Sequence, residues 1–169
     1  MSAIPFHWRP ATPADVELLA VLYADAAERL GPQVYSPEQV AAWAAHPRQD
    51  MCAFRRYVLG HDTWVAERVD DFAVLGFCGV GFDGAAREVH SLYVRPSATR
   101  QGLGAQMLAR TLQRAEAGGA RGFAAWVTPF SRPLFLRAGF ALTRTVSEPF
   151  AGVMFERYRV ERGTQAPGA

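Results

Sequence analysis

The stretch that decides the fold is LYVRPSATRQGLGAQML at residues 92–108. It begins as a strand that Pro96 ends, and it continues through a loop into an amphipathic helix. Free backbone N–H groups and the positive end of the helix dipole converge at such a turn. A Gly-x-Gly pair alone is weak evidence for phosphate binding, because many such glycines serve only local packing. Glycines at 102 and 104 would let a pyrophosphate approach the backbone without a Cβ in the way, so this turn can bind an anion without a lysine.

Strands and helices alternate around this turn. The strand over 87–94, the helix over 102–117 and the strand over 122–127 predict one parallel β-α-β crossover. Capping signals at Thr12 and Ser36 predict two earlier helices, the second ending at Pro47. The other predicted elements are a first strand over 6–11, a hairpin of strands over 63–67 and 72–82, a short helix over 133–138 capped by Ser131, and last strands over 140–146 and 152–160.

This order predicts an α/β (α+β) fold. Its sheet is mixed and mostly antiparallel, with about seven strands, one parallel crossover and helices on both faces. A length of 169 residues with 50% hydrophobic content suits a single domain. We expect that domain to cover residues 1–162, and the polar tail over 163–169 to be disordered.

Composition excludes several classes of chemistry. All 18 basic residues are arginine, and the chain contains neither lysine nor asparagine. Without lysine, neither Schiff-base catalysis nor a Walker-type P-loop is available. With a net charge of +2, the chain lacks the concentrated positive charge that nucleic-acid binding usually requires. Cys52 and Cys78 do not have the spacing of a metal site and are too few for a disulfide framework. No stretch has the length or pattern of a membrane-spanning segment or a signal peptide. We expect a cytoplasmic protein with inert thiols and with no metal, nucleic-acid or membrane partner.

The quoted stretch resembles motif A of the GNAT superfamily of acyl-CoA N-acyltransferases. In that motif a strand and V-x-P are followed by [QR]-x-x-G-x-[GA] at a helix start. RPATPADVELLAVLY at residues 9–23 resembles the family's first strand and helix, and SRPLFLRAGF at 131–140 resembles its motif B helix. YSPEQVAAWA and GVMFERYRV further resemble the bacterial YafP-type branch. Together these matches cover most of residues 6–160 in the family's order and spacing.

The resemblance implies an acetyl-CoA-dependent N-acetyltransferase that acts by direct attack in a ternary complex. The acceptor would be an amine of a small molecule or peptide. The family's Gln or Arg position, three before Gly102, is Thr99 here, so Arg100 is either a phosphate contact or a solvated loop residue. The resemblance places the pyrophosphate on the amides of Arg100, Gln101, Gly102, Leu103, Gly104 and Ala105, and the pantetheine arm along Leu92, Tyr93 and Val94, in a gap beside the strand over 122–127.

Three residues, Glu88, His90 and Ser131, are candidates for the reaction itself, and Phe135 is a candidate for co-substrate binding. Glu88 lies fourteen positions before Gly102, the offset of the glutamate base in the histone acetyltransferase branch, and it shares a strand face with His90. Glu88 as a solvated strand end and His90 as a core imidazole remain open alternatives. Phe135 replaces the tyrosine that protonates the leaving thiolate in many members, and it should line the thioester pocket. Ser131 replaces a frequent asparagine, and it either contacts pantetheine or water or caps the short helix.

An acceptor pocket is expected between the two N-terminal helices and the last hairpin. An apolar or aromatic amine would suit it. The rival interpretation is a non-catalytic acyl-CoA-binding or regulatory domain, because Phe135 and the shifted arginine depart from the family. An unrelated nucleotide-binding domain is disfavoured by the single crossover, and a homodimer is left open. The residues expected to line the pocket are Tyr35, Trp43, Trp64, Phe82, Trp126 and Phe150.

Overall fold

A computed structural model describes residues 4–83 and 86–163. Its seven strands form one sheet in the order β1-β2-β3-β4-β5-β7-β6, in which β4 and β5 are parallel and the other neighbours antiparallel. The predicted mixed sheet with one parallel crossover is therefore confirmed. The strands are Phe6–Pro10 (β1), Asp62–Arg68 (β2), Val74–Asp83 (β3), Ala86–Val94 (β4), Gly122–Val127 (β5), Ala141–Phe150 (β6) and Val153–Gly163 (β7).

Helices cover both faces of this sheet, as predicted. Leu103 and Met107 of α4 and Phe135 of α5 belong to the core on one face. Leu19 of α1 and Phe54 of α3 belong to the core on the other face. The α-helices are Val16–Leu30 (α1), Pro37–Gln49 (α2), Met51–Leu59 (α3), Leu103–Ala117 (α4) and Arg132–Arg137 (α5).

The sequence prediction missed α3. It ended the second helix at Pro47 and placed no element between residues 47 and 63. In the structure Pro47 lies inside α2. Pro47 has no N–H to donate to the carbonyl of Trp43, so the last turn of α2 lacks one hydrogen bond, and the helix ends two residues later at Gln49. The carboxylate of Asp50 then accepts the N–H of Ala53 at 2.8 Å, which caps a new helix. The prediction of two N-terminal helices is therefore wrong, and the structure contains three.

The strands β4 and β5 diverge soon after they pair. Their parallel ladder contains only Arg87 with Phe123 and Glu88 with Ala124. The β3–β4 ladder shifts register between Gly79 and Val80, which pair with Ser91 and Val89, so His90 is an extra residue on β4. Such a bulge bends its strand. In the described part of the chain, residues 90–94 have no strand partner on the β5 side, and a gap opens there.

The C-terminal end of the described chain and the two cysteines were also the subject of predictions. Gly163 belongs to β7, and residues 164–169 of the expected tail lie outside the described residues. Both cysteines are free; Cys52 is exposed and Cys78 is buried. No helix within the two described ranges has the length and apolar character needed to cross a membrane.

Candidate functional site

The turn between β4 and α4 presents unpaired backbone amides. Arg100 and Gly102 both have left-handed backbone, with φ of 60° and 76°. The amide of Gln106 donates to the carbonyl of Gly102 at 3.1 Å and starts the helical hydrogen-bond ladder. The amides of residues 103–105 therefore have no acceptor within the helix. This end of α4 is suited to an anion.

The two glycines of the turn serve different purposes. A Cβ on Gly102 would meet nothing closer than Gln106 Nε2 at 4.0 Å, so its positive φ is what requires glycine. A Cβ on Gly104 would lie 3.2 Å from Leu134 Cδ1 and 3.5 Å from Val94 Cγ2. Gly104 therefore lets α4 begin close to β4 and α5, a packing role additional to the open anion approach expected from the sequence.

A groove of about 340 Å³ runs from this turn along the gap between β4 and β5 towards α5. Gln101 does not line it, and its side chain donates to the carbonyl of Ser97 at 3.2 Å. The Thr99 hydroxyl donates to the carbonyl of Pro96 at 2.7 Å. Arg100 lines the groove at the turn, and Arg137 lines it at α5. The other residues predicted to contact the co-substrate all line the groove: Leu92, Tyr93, Val94, Arg100, Gly102, Leu103, Gly104, Ala105 and Phe135.

Ser131 and Phe135 form the α5 side of the groove. The Ser131 hydroxyl accepts the N–H of Thr128 at 3.1 Å and lies 3.1 Å from the Thr128 hydroxyl. Ser131 occupies the N-cap position of α5 as predicted, but its hydroxyl makes no cap hydrogen bond, so capping by this side chain is wrong. Phe135 is buried against Phe140, with ring centroids 5.1 Å apart, and forms an apolar groove wall.

A second cavity, of about 400 Å³, lies between the N-terminal helices and β7. It meets the groove where β4 and β5 diverge, so a molecule in one cavity can reach a molecule in the other. The residues that line both are Trp43, His90, Tyr93, Trp126, Val127 and Thr128.

This second cavity is aromatic. Of the residues expected in an acceptor pocket, Tyr35, Trp43, Trp126 and Phe150 line it. The prediction for Trp64 is wrong, since its ring stacks on Trp8 and lies 4.2 Å from the guanidinium of Arg114 on α4. The adjacent Val65 belongs to the core under α1 and α3, and strand alternation turns Trp64 to the other face. The side chain of Phe82 lies outside the described residues.

Several aromatic residues in the cavity wall were not predicted. Phe54 and Tyr57 were missed together with α3, although the Asp50 capping signal and the apolar spacing of Phe54 and Val58 mark that helix. Asp50 and Arg157 are the formally charged residues in the lining, and Arg157 is held by Glu148 at 2.5 Å. The unpredicted aromatic residues are Tyr23, Phe54, Tyr57, Tyr93 and Phe155.

His90 lies at the junction of the two cavities. Neither ring nitrogen has a hydrogen-bond partner among the described residues. Burial, together with the neighbouring His61, lowers the pKa of His90 to about 4. The Tyr57 hydroxyl donates to the His90 carbonyl at 2.5 Å and holds the backbone of the bulge. At neutral pH the His90 ring is therefore uncharged, and one of its two buried nitrogens carries a lone pair.

Glu88 lies apart from both cavities. Its carboxylate pairs with Arg159 of β7 at 3.0 Å, across the intervening β5, on which Glu88 lies beside Ala124 and Arg159 lies beside Trp126. To act as a base, Glu88 would have to release Arg159 and reach the cavity junction, so its assignment stays a prediction.

Comparison with known proteins identifies the family. The acetyltransferase (GNAT) domain family matches residues 32–162. The chain belongs to this GNAT acetyltransferase family, whose enzymes use acetyl-CoA as co-substrate. No curated protein matches the sequence significantly. The YafP-type branch stays a prediction.

Solved structures with the same fold include several acetyltransferases. A GCN5-related N-acetyltransferase from Rhodopseudomonas palustris has a TM-score of 0.87 at 21% identity, over 97% of this chain and 99% of that one. The PaiA N-acetyltransferase from Thermoplasma acidophilum, solved with coenzyme A, has a TM-score of 0.76 at 15% identity, over 95% and 99%. YncA from Salmonella typhimurium, a putative acetyltransferase solved with acetyl-CoA, has a TM-score of 0.65 at 22% identity, over 98% and 97%. At these identities the likeness shows the fold.

Proposed function

We propose that this chain is an N-acetyltransferase that moves the acetyl group of acetyl-CoA directly to an amine of a small molecule or peptide, within a ternary complex. The observation that carries this proposal is the gap between β4 and β5. This gap connects two cavities: the groove, which starts at the turn with free amides, and the aromatic cavity. Family membership supports the reaction class, and the free cysteines fit the proposed cytoplasmic location.

The groove has the features that a coenzyme A thioester requires. The amides of the turn would hold the pyrophosphate, with Arg100 adding positive charge at the same end. The open edge of β4 over residues 92–94 would pair with the amides of the pantetheine arm, as a further strand would. The thioester then lies near His90, where the two cavities meet. In a chain without lysine, phosphate binding rests mainly on the backbone.

The reaction needs an uncharged amine and a stabilised oxyanion. We assign the first task to His90, whose ring reaches both cavities and takes the ammonium proton directly or through one water. Backbone N–H groups of β4 near residues 92–94 would stabilise the oxyanion. Phe135 has no proton to donate, but a thiol ordinarily has a pKa near 8.5, so the thiolate can leave without an acid. Ser131 would hold the pantetheine arm or a water.

The wall of the second cavity favours an apolar or aromatic amine. Aromatic rings from α1, α2, α3, β5 and β7 surround it, and they make edge contacts such as Tyr35 on Phe155 at 5.0 Å. Such rings bury a large apolar surface, and their faces attract an ammonium group. The carboxylate of Asp50 is a second group in this wall suited to a cation.

Two measurements test the proposal. Calorimetry with acetyl-CoA and with coenzyme A should show binding, and folded protein without affinity for either would refute the co-substrate site. Thiol release should then occur with some members of an amine panel, such as phenylethylamine, tyramine, hexylamine and dipeptides with apolar N-terminal residues. Binding without turnover across a broad panel would instead favour the acyl-CoA-binding domain.

A pair of variants tests the base. If His90 is the base, His90→Gln should lower kcat by roughly 10²-fold or more, while Glu88→Gln should have a smaller effect. The reverse order would assign the proton to Glu88. Circular dichroism and coenzyme A affinity serve as controls, because Glu88→Gln also removes the ion pair with Arg159.

A further inference from the structure

Arg157 brings a positive charge into the aromatic cavity. It lies on β7 and lines the cavity wall, and its guanidinium carbon is 5.2 Å from the centroid of the Trp126 ring. Trp126 lines both cavities, so this guanidinium lies near their junction. Phe155, two positions earlier on β7, lines the same cavity. Because alternate residues of a strand share a face, the register of β7 turns Arg157 towards the place of the acceptor.

The charge of Arg157 acts on the phenols of the cavity wall. Burial raises the pKa of Tyr35, Tyr57 and Tyr93, and the positive charge of Arg157 acts in the opposite direction on all three. These tyrosines belong to three separate segments, namely the turn after α1, the helix α3 and the strand β4. A charge that acts on all of them is directed into the cavity that they surround.

Glu148 engages only part of this guanidinium. Its carboxylate contacts Nη1 of Arg157 at 2.5 Å. Within residues 4–83 and 86–163, neither Nε nor Nη2 of Arg157 has a hydrogen-bond partner. The side chains are 34% and 41% exposed, and ion pairs in such positions contribute little to stability. Arginine donates through a planar fork of five N–H groups, so donors remain for a second carboxylate.

An amine that carries no other charge is a poor match to this wall. The acceptor arrives as an ammonium ion, which a guanidinium near the junction repels. A carboxylate next to the amine removes this repulsion and gains charge-assisted hydrogen bonds. Asp50, the other formally charged residue in the lining, is more exposed and already accepts the N–H of Ala53. A cavity of about 400 Å³ is at the small end of ligand pockets, which favours a free molecule over a long peptide.

Resting on the proposed function, we propose that the acceptor is a free α-amino acid with an apolar or aromatic side chain, whose carboxylate binds Arg157. The amine then faces His90, and the side chain packs against the aromatic rings. The N–C bond forms and the C–S bond breaks, which gives an N-acetyl amino acid and the thiol of coenzyme A. Of the two protons that leave the ammonium nitrogen, the base passes one to solvent and the other ends on the thiolate, so the reaction balances.

L-phenylalanine and phenylethylamine test this proposal, because they differ by one carboxylate. Arg157→Gln should lower kcat/KM for L-phenylalanine about 10- to 100-fold, the effect of losing a hydrogen bond to a charged group. It should not lower kcat/KM for phenylethylamine. Comparing each acceptor between variants cancels the intrinsic reactivity of its amine. The control is Arg144→Gln, whose guanidinium carbon lies 5.1 Å from the same Trp126 ring but which lines neither cavity. It should match the wild type with both acceptors.

A second variant removes the effect of an unpaired Glu148. In Arg157→Gln alone, the Glu148 carboxylate loses its cation and could itself repel the carboxylate of the acceptor. Arg157→Gln combined with Glu148→Gln leaves both positions neutral, and the loss of kcat/KM for L-phenylalanine should persist. Recovery in the double variant would assign the loss to repulsion by Glu148 and would overturn the proposal.

The remaining outcomes separate this proposal from the proposed function. Equal losses with both acceptors in Arg157→Gln would give this residue a structural role and overturn the carboxylate site. A wild type that acetylates phenylethylamine or p-xylylenediamine but not L-phenylalanine would also overturn it, and the proposed function would stand. A wild type that binds coenzyme A but acetylates neither amines nor amino acids would overturn both.

Discussion

Gly102→Ala separates backbone strain from co-substrate binding at the turn. Gly102 has φ of 76°, and its missing Cβ would face open space. Gly119, at the other end of α4, has φ of 91° and also has nothing within 4 Å of a Cβ. Gly119→Ala is therefore a matched control that carries a similar conformational strain far from the groove.

The expected sizes follow from these geometries. Left-handed backbone costs a residue with a Cβ about 1–2 kcal/mol, so each variant should lose that much unfolding free energy. For a domain of this size each kcal/mol lowers Tm by about 2–4 °C. In Gly102→Ala the added methyl group would in addition stand in the open space at the groove that Gly102 lines, where it would obstruct a pyrophosphate on the turn. Loss of one hydrogen bond to a charged phosphate costs about 1.5–3 kcal/mol, a roughly 10- to 100-fold rise in Kd.

The assay combines thermal unfolding with calorimetric titration of coenzyme A. Both variants should unfold at similar reduced temperatures, and Gly102→Ala alone should bind coenzyme A more weakly. If Gly102→Ala kept the wild-type Kd, the assignment of the pyrophosphate to this turn would be refuted. If both variants lost affinity equally, the effect would come from global destabilisation.

Two further results are expected. The guanidinium of Arg9, 2.7 Å from the Asp15 carboxylate, and hydrogen bonds from Thr12 lower the pKa of Asp15 to about 2, below its value in the unfolded chain. The interaction therefore stabilises the fold above about pH 5, and this stabilisation is lost as the pH falls towards 2. Asp15→Asn should therefore cost about 2 kcal/mol at pH 7 and much less near pH 2, measured by urea unfolding at both pH values; an equal loss at both would contradict the linkage. Burial raises the pKa of the Cys78 thiol to about 12, so iodoacetamide should modify Cys52 alone in native protein and both thiols in denaturant, as counted by mass spectrometry. Native labelling of Cys78 would disprove this.

Local signals accounted for most of the predicted fold. The strand end, Pro96, the left-handed Gly102 and the first turn of α4 all lie within residues 92–108, so the anion-binding turn depends on near neighbours. Residues 9–23 and 131–140 likewise predicted elements found in the structure. The missed α3 begins directly after a proline-containing helix end. The prediction followed Pro47 as a helix-ending residue and did not use Asp50 as the cap of a new helix, although the structure has Pro47 inside α2 and Asp50 capping α3.

The sequence by itself determined the element order, the single crossover and the turn, because backbone preferences and hydrophobic periodicity act over a few residues. Only the tertiary structure decided which side chains meet. His61 contacts His90, and Glu88 pairs with Arg159, through strand registers and a bulge that join distant segments. A one-residue shift of register turns a strand's side chains to the other face. The contact between the two imidazoles and the place of Glu88 outside both cavities therefore follow from pairing between strands, which local sequence patterns do not specify.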